Sequence, residues 1–119
     1  MSNAWEKFQG ATLTLARSGS IKDRLNDAYR NHLAYVTEDE LPRELREEFR
    51  AVARRLTRER PLLRGEDAVR ATIRKMSSEE ADAVASTVVR MFGAIARGAG
   101  AHARNAGASQ VVTLHAVDA

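Results

Sequence analysis

The sequence contains no cysteine, and this absence excludes several kinds of chemistry. A chain of 119 residues without cysteine forms no disulfide, carries no thiolate nucleophile and offers no sulfur ligand to zinc. Its three histidines, His32, His102 and His115, have no metal-ligating residue four positions further on. We therefore expect no metal site and no cofactor, and we expect His32 to be a hydrogen-bonded residue at the edge of the core.

Long apolar runs are missing as well, and aromatic residues make up only 5% of the chain. No window approaches the roughly 20 uncharged apolar residues that a membrane-spanning helix needs, so we expect no membrane partner. Near the N-terminus, Glu6 and Lys7 stand where a signal peptide would have an unbroken apolar run. This pattern favours a cytoplasmic location.

Catalytic motifs are also absent. The serines lie in neither a Gly-x-Ser-x-Gly nor a Ser-x-x-Lys pattern, and the glycines form no phosphate-binding fingerprint. The acidic run Glu38 to Glu40 lacks the glycine and the alternating oxygen ligands of a calcium loop, so we expect it to complement the N-terminus of the next helix. The sequence thus predicts a protein that is not an enzyme.

What the sequence does contain is helical periodicity in five punctuated segments. Asn3, Ser20 and Ser77 precede three of these segments as N-cap residues, and Pro61 ends the third. The apolar residues recur at helical spacing over residues 4–17, 20–36, 42–60, 69–76 and 77–97. We predict an all-α protein, a compact bundle of about five helices.

A change of composition after residue 97 divides the chain into two predicted parts. Residues 1–97 form the helical bundle domain, and residues 98–119 form a flexible Gly/Ala linker followed by a short β-prone C-terminal tail. The tail either packs on its own bundle or on a second subunit, or it serves as a docking peptide. Its candidate docking residues are Gln110, Val111, Val112 and Leu114.

Homo-oligomerisation is a further prediction. Trp5 and Phe8 lie close to the N-terminus, and together with the apolar tail they are the best candidates for surface that a subunit contact would bury.

Arginine accounts for 16 of the 19 basic residues, and residues 50–75 hold nine basic and three acidic side chains. On the third segment, arginines recur every three or four residues and form a basic ridge on the face away from Phe49 and Val52. Arg50, Arg54 and Arg58 share one exposed line of this ridge. A solvated helix face is the competing interpretation, because three glutamates lie on the same helix. The candidate anion-binding or partner-binding residues are Arg43, Arg46, Arg50, Arg54, Arg58, Arg70 and Arg74.

Two classes of function follow. We expect a small non-catalytic regulatory or adaptor protein that acts through protein–protein contacts, with a partner that the sequence does not identify. The alternative is a nucleic-acid-associated protein that binds phosphates through the arginines of helices three and four. The net charge of +3 is too small to require this alternative.

Overall fold

The computed structural model describes residues 3–106, with side chains described as far as residue 98. Its five α-helices are α1 (Ala4–Leu15), α2 (Ile21–Asn31), α3 (Arg43–Leu56), α4 (Ala68–Lys75) and α5 (Ser78–Ala106). Two 3-10 turns, Leu33–Tyr35 and Glu38–Glu40, connect α2 to α3, and residues 3–106 contain no strand. The predicted all-α bundle of five helices is confirmed. No helix in this part of the chain combines the length and the apolar character needed to cross a bilayer.

The predicted helix starts are confirmed by their capping hydrogen bonds. The side chains of Asn3 and Ser20 each accept a hydrogen bond from the backbone amide three residues further on, at 3.0 and 3.1 Å. Ser77 and Glu80 form a reciprocal box, in which each side chain accepts the other residue's amide at 3.0 and 2.8 Å. These bonds satisfy amides that the first turn of a helix leaves without a partner.

The core lies where α1 packs against both α2 and α5, and α2 also packs against α4. Phe8 is completely buried and meets the ring of Phe49 edge to face, with 6.0 Å between ring centroids. Trp5 is half-buried against Phe92 at 5.9 Å. The prediction that Trp5 and Phe8 offer surface for a subunit contact is therefore wrong for Phe8, because the helical period places it on the face of α1 that other helices cover.

The second helix is shorter than its apolar pattern predicts. The α-helical hydrogen bonding ends at Asn31, and a 3-10 turn follows. Leu33 and Val36 nevertheless remain buried, as the periodicity requires. The change is possible because a 3-10 turn keeps side chains three residues apart on one face.

The acidic run has a different role from the predicted one. Its Glu40 carboxylate accepts hydrogen bonds from the Thr37 amide at 2.8 Å and from Lys7 Nζ at 3.0 Å. The Thr37 amide lowers the pKa of Glu40, and Lys7 lowers that pKa further. Glu40 therefore binds specific donors, as Glu38 does with Arg50. The helix α3 begins only at Arg43, after Pro42.

The fifth helix continues beyond the predicted boundary at residue 97. It reaches Ala106, so the prediction of a linker is wrong for residues 98–106. Four of these nine residues are alanine, the best helix former, and extending an existing helix needs no new nucleation. The tail residues Gln110, Val111, Val112 and Leu114 lie outside the described residues. The division into a bundle domain and a tail stays a prediction.

Three cations of α2 connect it to the ends of its neighbours. Lys22 donates to the carbonyl oxygen of Arg74 at the last turn of α4 (3.0 Å), and Arg30 pairs with Asp67, the N-cap of the same helix. Arg24 donates to the carbonyl of the last residue of α1. Cations are favourable at helix C-termini, where carbonyl groups lack partners. These contacts hold α4 and the end of α1 against α2.

Gly10 lies inside α1, where the ring of His32 packs directly over it. A β-carbon on Gly10 would lie 2.5 Å from Nδ1 and 2.6 Å from Cε1 of His32. Within residues 3–98 the ring forms no hydrogen bond, so His32 acts here by packing rather than by the predicted hydrogen bond. The glycine allows this close approach at a cost of about 1 kcal/mol in helix propensity relative to alanine.

We expect Gly10→Ala to destabilise the protein by about 1 kcal/mol, because overpacking outweighs the gain in helix propensity. In a His32→Ala background the same change should become stabilising, since the methyl group then meets open space. Urea unfolding of the four proteins in this cycle measures both effects. A stabilising Gly10→Ala change in the wild-type background would mean that the histidine ring moves aside freely.

Candidate functional site

Two neighbouring leucines stand exposed in the loop that connects α3 to α4, residues 57–67. Leu62 is 69% exposed and Leu63 is 58% exposed. Single exposed apolar residues are common on protein surfaces, whereas adjacent ones form a patch that a partner can cover. Arg60 and Arg64 flank the pair and are themselves exposed. The loop therefore presents an apolar tip between two cations.

The first half of this loop is fixed to α4 by a buried threonine. Thr72 is 1% exposed, and its hydroxyl oxygen accepts the amide of Glu59 at 2.9 Å. The same hydroxyl donates to the carbonyl of Ala68 at 2.7 Å. Thr72 thus holds the loop with both its acceptor and its donor.

The second half of the loop is fixed by the carboxylate of Glu66, whose side chain is only 4% exposed. It lies 3.4 Å from each of the backbone amides of Leu62 and Leu63, which donate to it. Arg74 holds the same carboxylate through two nitrogens, at 2.8 and 3.2 Å, and this lowers the pKa of Glu66. The backbone that carries the leucines is therefore attached to α4 at both ends.

A groove of about 350 Å³ between α2 and α4 lies beside the exposed leucines. We name it the α2–α4 groove. It combines two aliphatic side chains with three cations, two carboxylates and one amide. Its lining residues are Lys22, Asp23, Asn26, Leu63, Glu66, Arg70, Ile73 and Arg74.

The predicted arginines are divided between two places. Arg70 and Arg74 line the α2–α4 groove. Arg54 and Arg58 line a separate open hollow of about 570 Å³, together with Arg55, Ala51 and Thr57. We name this second place the arginine hollow. The two sets of lining residues share no member, so the seven predicted arginines do not form one continuous site.

The positive charge of the arginine ridge on α3 is partly neutralised by Glu38, which precedes the helix. Arg50 binds both oxygens of Glu38, with Nε at 3.0 Å and Nη2 at 2.6 Å. This bond lowers the pKa of Glu38, and the charges of Arg46 and Arg54 lower it further. Arg46 also donates to the carbonyl of Leu41 at 3.1 Å. Arg43, the first residue of α3, remains exposed.

The expected line of Arg50, Arg54 and Arg58 along one helix is wrong in its last member. The helix α3 ends at Leu56, and Thr57 is its C-cap. Arg58 therefore lies beyond the helix, where its guanidinium is 3.6 Å from the carboxylate of Glu59.

Sequence reasoning missed Leu62, Leu63, Asn26 and Glu66. The leucine pair could have been found, because it lies in a connector that belongs to no amphipathic helix. Glu66 carries no such signal, since its partner Arg74 is eight residues away across a turn. Asn26 has polar neighbours in the sequence of α2, so no pattern distinguishes it from them. Residues 3–98 bring together no group of three metal-ligating side chains.

We expect Glu66→Gln to loosen the loop without unfolding the bundle. The wild-type pKa of Glu66 lies below the ordinary value of 4.5. The ionised carboxylate therefore stabilises the folded state at pH values above 4.5, and this stabilisation is lost as the pH falls through the lowered pKa. The amide hydrogen exchange of Leu62 and Leu63 should accelerate in the variant at neutral pH. Between pH 5 and about 3, the free energy of unfolding should fall less steeply in the variant than in the wild type. Equal slopes would contradict this role.

Comparison with protein-family models, with curated proteins and with solved structures finds no match to this chain. The described features that bear on function are the 57–67 loop, the α2–α4 groove and the arginine hollow.

Proposed function

We propose that this protein is a non-catalytic interaction module that binds another protein through the 57–67 loop and the adjoining α2–α4 groove. The observation that carries the proposal is the pair of exposed leucines on a loop whose backbone is held at both ends. Such a loop presents its side chains with little further loss of entropy on binding. The cytoplasm is its proposed location.

The energetics support this role. Full burial of one leucine side chain contributes roughly 1.5 to 3 kcal/mol, whereas micromolar binding needs about 8 kcal/mol in total. The leucine pair can thus offset part of the translational and rotational entropy that association loses, and polar contacts in the groove would add to the favourable side. Exposed leucines elsewhere in the described residues, such as Leu13, have no exposed leucine beside them.

A photo-crosslinking amino acid placed at Leu62 should give a discrete adduct in the native host, because this side chain would lie inside the contact. The matched control places the same amino acid at Leu13, which is 62% exposed on α1. The Leu63→Ser change should reduce the adduct formed from position 62. Gel electrophoresis and mass spectrometry identify the product.

An adduct of twice the protein's mass would identify a second copy of the chain as the partner. Equal labelling from positions 62 and 13, or an adduct unaffected by Leu63→Ser, would contradict the proposed docking surface.

Phosphate binding in the arginine hollow is the second candidate function. No carboxylate lines the hollow, and the buried Nη1 of Arg55 has no hydrogen-bond partner within the described residues. Arginine suits phosphate because its planar fork donates two parallel hydrogen bonds. The location at the C-terminus of α3 weakens the case, since the helix dipole there favours cations over anions.

The double change of Arg54 and Arg58 to glutamine should preserve the circular dichroism and nearly the same melting temperature, because both side chains are exposed. Arg50 is left unchanged because it binds Glu38 and does not line the hollow. If the hollow binds nucleic acid, the double variant should bind duplex DNA or RNA more weakly, with a salt slope reduced by about one for each lost phosphate contact. Arg97→Gln, on α5, is the matched control. Unchanged affinity and unchanged salt slope would exclude the hollow as a phosphate site.

A further inference from the structure

Asn26 is a buried amide whose hydrogen bonding is incomplete. It lies on α2, is only 4% exposed and lines the α2–α4 groove. Its Oδ1 has no hydrogen-bond partner within residues 3–98, and its Nδ2 donates only a long bond of 3.4 Å to Asp27. Neither end of this amide thus makes a full-strength hydrogen bond within the described residues, although the side chain lines the groove.

An unpaired buried acceptor lowers the stability of the fold, and leucine or valine at this place would avoid that cost. Features that destabilise a fold without a compensating contact are concentrated at functional sites. A side-chain amide is also the natural partner of a peptide group, because it can accept from the N–H and donate to the C=O of the same backbone.

The rest of the groove defines what kind of peptide would fit. Leu63 and Ile73 supply apolar walls. The Arg70 guanidinium lines the groove and makes no ion pair with the other residues in the described part of the chain. Arg74 is already bound to Glu66, and Lys22 caps the end of α4. Of the three cations, Arg70 is therefore the one whose side chain makes no hydrogen bond within residues 3–98.

We propose, on the basis of the function proposed above, that the α2–α4 groove binds an extended acidic segment of the partner protein. A leucine-type side chain of the segment lies between Leu63 and Ile73, a neighbouring carboxylate binds Arg70, and one backbone peptide group pairs with the amide of Asn26. The segment displaces nothing more than the long Asn26–Asp27 bond, since the amide can then turn toward the groove.

Charge and shape favour a peptide over nucleic acid or lipid in this groove. Arg70, unpaired within residues 3–98, offers one cation to a single carboxylate of a peptide, whereas the carboxylates of Asp23 and Glu66 in the same lining would repel the closely spaced phosphates of a nucleic acid. The exposed Arg60 and Arg64 on the loop attract an acidic chain while leaving room for its apolar residues. A buried amide has no role in binding an anionic membrane surface, which offers no backbone N–H.

A phage-displayed library of random dodecapeptides tests this proposal on the intact protein. Selection on the wild type, with prior depletion on the Leu63→Ser variant, should enrich sequences in which leucine, isoleucine or methionine stands beside aspartate or glutamate. Absence of enrichment, or enrichment of basic sequences, would overturn the proposal. Binding of duplex RNA or phosphatidylserine vesicles in competition with the selected peptides would also overturn it.

Fluorescence polarisation with the selected peptide then measures how much each contact contributes to the affinity. Arg70→Gln should weaken binding about tenfold, the loss expected for one charge-assisted hydrogen bond. Asn26→Leu should weaken binding while raising the melting temperature, a combination that a purely structural asparagine would not give. Arg54→Gln, in the arginine hollow, is the matched control and should change neither property.

A chemical variant of the peptide covers the case in which Asn26→Leu does not fold. N-methylation of the leucine amide removes the N–H donor, so the wild type should bind this peptide more weakly than the unmethylated one. Equal binding of both peptides refutes the contact to Asn26. If position 62 forms a protein adduct but no acidic peptide is selected, the proposed function stands and the peptide groove is refuted.

Discussion

The hydrogen bonds of the Glu66 carboxylate are the interactions on which the proposed docking surface depends. The carboxylate joins the backbone of Leu62 and Leu63 to the guanidinium of Arg74 on α4. Without this attachment, two adjacent leucines would be free to fold back on the bundle, because burial of their side chains is favourable. The largely buried Glu66 carboxylate thus keeps the side chains of Leu62 and Leu63 exposed to solvent.

The all-α fold could be predicted from the sequence because the local helix signals agree with the way the helices pack. The N-caps Asn3, Ser20 and Ser77 act within three residues, and the apolar stripes follow the helical period. The errors occurred where distant residues decide the outcome. Glu38 binds Arg50, which is 12 residues away, and Glu40 binds Lys7 from α1, so the acidic run does not serve the N-terminus of α3. No pattern within the local chain contains that information.

The candidate site was less predictable than the fold for the same reason. The arginine count indicated a basic surface, yet it could not reveal that Glu38 neutralises Arg50 or that the groove and the hollow are separate. The exposed leucine pair was readable in principle from its place in a connector. The buried amide of Asn26 was not, because whether a polar residue on an amphipathic helix has a partner is decided by what packs against it.

The way α2 holds α4 has a consequence for cooperativity. With eight residues, α4 is shorter than helices that are stable in isolation, so it persists only through its contacts with Lys22, Arg30 and the core. We therefore expect the helix and the loop before it to open and close as a single unit, with a free energy below that of global unfolding. We expect the peptide proposed above to shift this local equilibrium toward the closed form, and any change that frays α4 to lower the affinity by the same coupling.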